Sequence, residues 1–136
     1  ISVAAFVLLA WPGSAAELVM FESPACEWCE LWDEEIAPIY AKTSEAQVAP
    51  LRRVDIHDQL PADLRGLEAV VYTPTFVLLQ DGHELGRILG YGGEDHFWGL
   101  LGFLLERLRT TAPKQACRGT GGERTADSND GGVRRC

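Results

Sequence analysis

Two cysteines separated by two residues, Cys26-Glu27-Trp28-Cys29, constrain this chain more than any other stretch. They follow the apolar run Leu18-Val19-Met20-Phe21, which reads as a buried strand, and they open a segment with helical spacing. The pair therefore sits where a strand hands over to a helix. The unpaired N–H groups and the dipole of a helix start favour an anion, so a thiolate on Cys26 is stabilised there. Cys29 lies one helical turn further in, close enough to close a small disulfide ring. That arrangement points to dithiol chemistry, with Cys26 exposed at the helix start as the attacking thiol and Cys29 resolving.

The remaining elements follow from periodicity. Trp28, Leu31, Trp32, Ile36, Ile39 and Tyr40 recur at three- and four-residue spacing and form one helix face, which Pro38 should kink. Val48–Ile56 reads as a second strand, and Pro61-Ala62-Asp63-Leu64 opens a shorter helix with proline placed early. Thr73-Pro74-Thr75 leads into the apolar run Phe76-Val77-Leu78-Leu79, and Asp81-Gly82 marks a hairpin to a partner strand at Leu85–Leu89. Gly90, Gly92 and Gly93 precede a last helix, from about Glu94 to Arg109, with Phe97, Leu101, Leu104, Leu105 and Leu108 as its apolar stripe and Trp98 beside Leu101 in the core. The order β-α-β-α-β-β-α, with one helical crossover and one hairpin, makes an α/β domain: a mixed four-stranded sheet with helices on its faces.

Charge is unevenly spread over the 136 residues, whose net value is −8. Residues 17–111 hold 17 acidic and 7 basic side chains, and such an acidic domain repels phosphate backbones, which argues against nucleic-acid binding. Ile1–Ala10 is an uncharged apolar run followed by Trp11-Pro12-Gly13 and the small residues Ser14-Ala15-Ala16. It reads as part of a secretory signal peptide spanning 1–16, cleaved after Ala16, and is shorter than the roughly 20 residues of a spanning helix. Residues 17–111 form the folded domain, and the glycine-rich, charged stretch 112–136 reads as a disordered tail. Cys117 and Cys136 belong to that tail.

Three other uses of C-x-x-C compete with redox chemistry. A structural disulfide this tight closes so short a loop that it adds little stability. Half a zinc site needs a second pair, and Cys117 and Cys136 are 19 apart in a polar segment. A copper carrier needs a nearby His or Met, yet His57, His83 and His96 have no ligand spacing; His57 reads as solvated and His96 as a surface or capping residue. No metal is therefore expected. Glu22, Glu27, Glu30, Asp33, Glu34 and Glu35 crowd the dithiol, which disfavours a thiolate and favours a reductant over an oxidant. Trp28, in the spacer, is free to pack against a partner.

From Glu17 to Arg109 the chain resembles the thioredoxin superfamily: the strand before C-x-x-C, the helix interrupted at Ile36-Ala37-Pro38-Ile39, the Thr73-Pro74-Thr75 triplet, and the turn and glycines at Asp81-Gly82 and Gly90. Within it, Phe21-Glu22-Ser23-Pro24-Ala25-Cys26-Glu27-Trp28-Cys29-Glu30 and the apparent leader are most similar to the small periplasmic thioredoxin-like regulatory proteins of bacterial sulfur-oxidation (Sox) clusters. The resemblance implies a thioredoxin fold and a cofactor-free, monomeric protein thiol–disulfide oxidoreductase of the periplasm. It implies that Pro74 is a cis-proline beside the dithiol and that Thr73 pairs with an extended substrate segment. The implied client is a sulfur-carrier protein with a disulfide or modified cysteine, and a membrane thiol transporter would supply electrons. A redox-silent binding module, a metal carrier, and a disulfide oxidase or isomerase are the contrasting readings. Departures are plain: Ala25 replaces the usual Trp before the first cysteine, Glu27-Trp28 replaces Gly-Pro, and Met20 stands where thioredoxins carry a buried Asp.

Overall fold

The computed structural model describes residues 15–111. Residues 1–14, the tail, Cys117 and Cys136 lie outside that range. Strand β1 (Ala16–Glu22) is followed by helices α1 (Glu27–Glu35), α2 (Ala37–Tyr40) and α3 (Ser44–Val48), then by β2 (Leu51–Asp55). Strands β3 (Thr75–Gln80) and β4 (His83–Leu89) and helix α4 (Glu94–Thr111) complete the order. Ala16 already pairs with Gln80, and the Ala15 amide donates to Asp81 Oδ1, so the expected cleavage point falls inside β1.

The sheet is mixed and four-stranded, in the order β2-β1-β3-β4. β1 runs parallel to β2, with Phe21 opposite Val54, and antiparallel to β3, with Met20 opposite Phe76. β3 and β4 form the expected hairpin, whose turn residues Asp81 and Gly82 both have positive φ, as a tight turn matched to strand twist requires. β3 is buried on both faces, which is why its sequence is a continuous apolar run.

Alternation along β1 splits the core. Leu18 and Met20 face α1, α2 and α4, packing with Trp32, Ile36, Tyr40, Phe76, Phe97 and Leu101. Trp32 is fully buried, its ring centroid 5.4 Å from that of Phe76 and 5.7 Å from that of Phe97. Val19 and Phe21 face the other way, onto Val54, Leu64, Val77 and Leu79. Trp98 is only half-buried, stacked on Tyr40 at 6.1 Å, whereas its neighbour on the expected stripe, Leu101, is fully buried.

Three local expectations need correction. The kinked helix is two helices: α1 ends at Glu35, Ile36 caps it, and α2 resumes with Pro38 in its first turn, where the missing N–H has no partner to lose. The second strand starts at Leu51, because Thr43 caps α3 by accepting the Ala46 N–H at 3.2 Å and so claims Val48 for a helix. The shorter helix at Pro61 is one 3-10 turn, Ala62–Leu64. Its bonds run Leu64 N–H to Pro61 and Leu67 N–H to Leu64, each spanning three residues, and they drop Leu64 and Leu67 onto the sheet.

Candidate active site

Cys26 is the N-cap of α1, with extended backbone (φ −103°, ψ 97°). Its carbonyl accepts the N–H groups of Cys29 and Glu30, and its Sγ also takes the Cys29 N–H at 3.1 Å. A side chain at this position normally supplies oxygen to a free helix N–H; here sulfur does so. Cys26 and Cys29 form a disulfide with Cα atoms 5.1 Å apart.

The expectation that Cys26 is exposed is not met: it is 6% accessible and Cys29 4%. Bonding back toward the helix turns both sulfurs away from bulk water. They are not sealed, since both line an open recess together with Glu22, Glu30, Asp33 and Asp55. Trp28, in the spacer, is 53% exposed beside it.

A second segment, leading into β3, is tied to the loop that precedes the dithiol. The Thr73–Pro74 peptide bond is cis, and Ser23 and Thr73 share a side-chain hydrogen bond of 3.0 Å. That bond ties the loop leading into Cys26 to the residue before Pro74. The Pro74 carbonyl accepts the Gly90 N–H at 2.7 Å, so the glycine turn after β4 fixes the other side. Val71 and Tyr72, just upstream, are largely exposed.

The periplasmic thioredoxin SoxS from Paracoccus pantotrophus, in its reduced form, is 45% identical to this chain, covering 69% of it and 99% of that structure with a TM-score of 0.66. The chain belongs to the thioredoxin superfamily. A thioredoxin from Malassezia sympodialis shares the fold at 18% identity and a TM-score of 0.51, covering 67% of this chain and 76% of that one. No protein-family model matches the chain, and no curated protein does. As a thioredoxin with a closely spaced cysteine pair, the protein is a thiol–disulfide oxidoreductase acting on protein substrates.

Two features set this thioredoxin apart. Met20, where thioredoxins carry a buried acid, is fully buried and packs in the core. Two of the carboxylates that line the dithiol recess are instead gathered by Arg53, which motif reasoning missed. Its Nε donates to Glu22 Oε1 at 2.9 Å and its Nη2 to Glu22 Oε2, while Nη1 and Nη2 reach Asp33 at 2.7 and 2.9 Å. These bonds hold the Arg53 pKa above its usual value, with burial working against them. Asp33 comes from α1 and Glu22 from β1, so one cation pins the helix to the strand beside the disulfide.

The acidic crowd expected around the dithiol is therefore thinner than its count. Arg53 offsets one of the two negative charges of Glu22 and Asp33, and Glu35 accepts the Tyr91 hydroxyl. Burial, then the Glu35 bond, raises the Tyr91 pKa. Glu27, Glu30 and Glu34 remain exposed, and among the described residues they form no ion pair. His57, His83 and His96 are exposed, and among the described residues no cluster of His, Cys, Asp and Glu could hold a metal ion. No helix of the described residues is long and apolar enough to cross a membrane.

Proposed function

We propose that this protein is a periplasmic reductant whose client is a cysteine-bearing carrier protein of sulfur oxidation. The carrying observation is the sulfur of Cys26 at the N-cap of α1, accepting the Cys29 amide on the edge of an open recess. Cys26 is the nucleophile. As a thiolate it attacks the client disulfide, forming a Cys26–client bond and releasing one client thiolate. Cys29 then attacks Cys26 Sγ, the second client thiol leaves, and the Cys26–Cys29 disulfide remains. Two electrons pass from protein to client, and the Cys29 proton leaves through the recess that Glu22 and Asp55 line. Thr73 offers its backbone to an extended client segment by strand addition, Pro74 keeps that edge open, and Trp28 packs on the client from the other side.

Similarity to a periplasmic thioredoxin and the apolar leader-like run support the compartment. Membrane thiol transport is the electron source that fits a dithiol on the outer side of a membrane. Reduction of insulin by dithiothreitol, followed as turbidity, tests the chemistry: Cys26→Ser abolishes the catalysed rate, and an unchanged rate refutes it. Cys29→Ser stalls after the first attack and retains the client as a mixed disulfide. Recovery of a periplasmic sulfur carrier from the native host supports the client assignment; its absence among the trapped proteins contradicts it. A measured potential near about −120 mV, rather than near the −270 mV of reducing thioredoxins, would favour an oxidase.

A further inference from the structure

Next to the dithiol recess lies a second one of about 230 Å³, walled by Phe21, Leu64, Leu67 and Val70 between the sheet and segment 56–70. Asp55 borders both recesses, and Phe21 precedes Glu22 along β1, so the two are neighbours at the ends of β1 and β2. The second recess exists because a single 3-10 turn, rather than a helix, covers this face of the sheet. Leu67 and Val70 are left half-buried.

The charged side chains that line the two recesses are all acidic, with Arg87 beside Glu68 at the outer edge. Asp55, Asp58 and Glu68 border the apolar recess, and Glu30 and Asp55 the dithiol recess. Arg53 is committed to Glu22 and Asp33 and does not offset them. Among the described residues, Glu30, Asp55 and Asp58 form no ion pair. An anionic segment approaching the disulfide is repelled; a cationic one is drawn in.

We propose that the client segment carries a lysine or arginine beside its disulfide cysteine and a bulky aliphatic side chain a few residues away. The cation lies along Glu30, Asp55 and Asp58, and the aliphatic group fills the recess of Phe21, Leu64, Leu67 and Val70. This inference rests on the reading of Cys26 and Cys29 as the redox pair. It makes client choice a matter of charge and fit beside the dithiol, separate from the exchange step itself.

The test uses the reduced protein and amidated peptides whose single cysteine is capped by thionitrobenzoate. Each turnover oxidises Cys26 and Cys29 to their disulfide and releases the peptide thiol and the coloured thionitrobenzoate. One peptide set has Lys beside the cysteine and Leu two, three or four residues beyond; matched sets replace Lys by Glu, or Leu by Ser. At low salt the best Lys–Leu peptide reacts at least about 10-fold faster than its Glu counterpart, and the gap shrinks in 0.5 M NaCl. The Asp58→Asn, Glu68→Gln protein loses much of that gap but reduces the uncharged bis(2-hydroxyethyl) disulfide at the parent rate. Replacing Leu by Ser slows the parent about fivefold, and Val70→Ser removes this difference. Equal rates for Lys and Glu peptides, with the hydroxyethyl disulfide still reduced, overturn the inference alone. Failure to reduce even the hydroxyethyl disulfide overturns the redox reading and this inference with it.

Discussion

Arg53 stands opposite Met20 in the parallel register of β1 and β2, and from there its guanidinium grips Glu22 and Asp33. A position that is apolar on β1 is thus answered by a cation on β2, which pairs with two of the carboxylates lining the dithiol recess. Replacing Arg53 by Met leaves Glu22 and Asp33 as bare negative charges beside the sulfurs. The Cys26 thiolate is then harder to form, and its titration, read from thiolate absorbance at 240 nm, moves upward. Arg53→Lys recovers only part of the shift, because a single ammonium cannot fork to both carboxylates. All three side chains are partly exposed, so the loss of stability stays below about 1 kcal/mol. A Cys26 titration that does not move in Arg53→Met contradicts this role.

Tyr40 links α2 to the segment leading into β2: its hydroxyl donates to the buried Ala49 carbonyl at 2.7 Å. Burial, and secondarily Glu45, raises its pKa above that of a free tyrosine. A raised folded-state pKa means the stabilisation is complete below the unfolded value, about 10, and drains away as pH rises beyond it. Urea titrations above pH 10 therefore show falling stability. Tyr40→Phe costs about 1–3 kcal/mol at pH 7, through the orphaned carbonyl, and flattens the alkaline fall. An unchanged alkaline slope in that variant refutes the assignment.

Trp32 is the largest fully buried side chain, packed among Phe76, Phe97 and Tyr40. Trp32→Ala removes that packing and is expected to cost about 3–5 kcal/mol in chemical denaturation. A cost below about 1 kcal/mol would mean the helix face is not packed as described.

Gly90 has φ +77° and donates its N–H to Pro74. A Cβ there meets nothing within 4 Å, so Gly90→Ala costs only the left-handed backbone, about 1–2 kcal/mol. A neutral or stabilising Gly90→Ala in thermal unfolding would contradict the turn.

Much of this was legible before the fold. The strand–dithiol–helix order, the Asp81-Gly82 hairpin and the α4 stripe depend on neighbours a few positions apart, and local pattern reports those well. Val48 was not legible, because Thr43 capping outweighs the β preference of a single valine. The turn at Pro61 differs from the expected helix because its hydrogen bonds span three residues where a full helix needs four. The Arg53 site was invisible for another reason: its partners lie 31 and 20 positions away, and only strand register and the lie of α1 bring them together. The recess beside Asp55 was hidden likewise, since it is defined by how little structure covers one face of the sheet.

The central claim is that one sulfur of the pair, Cys26, does the attacking. Treating the fully reduced protein with a single equivalent of iodoacetamide at pH 7, then mapping the label by peptide mass, reads this directly. Carbamidomethylation is expected at Cys26 with Cys29 left free; label on Cys29, or shared equally between the two, would contradict the attack by Cys26.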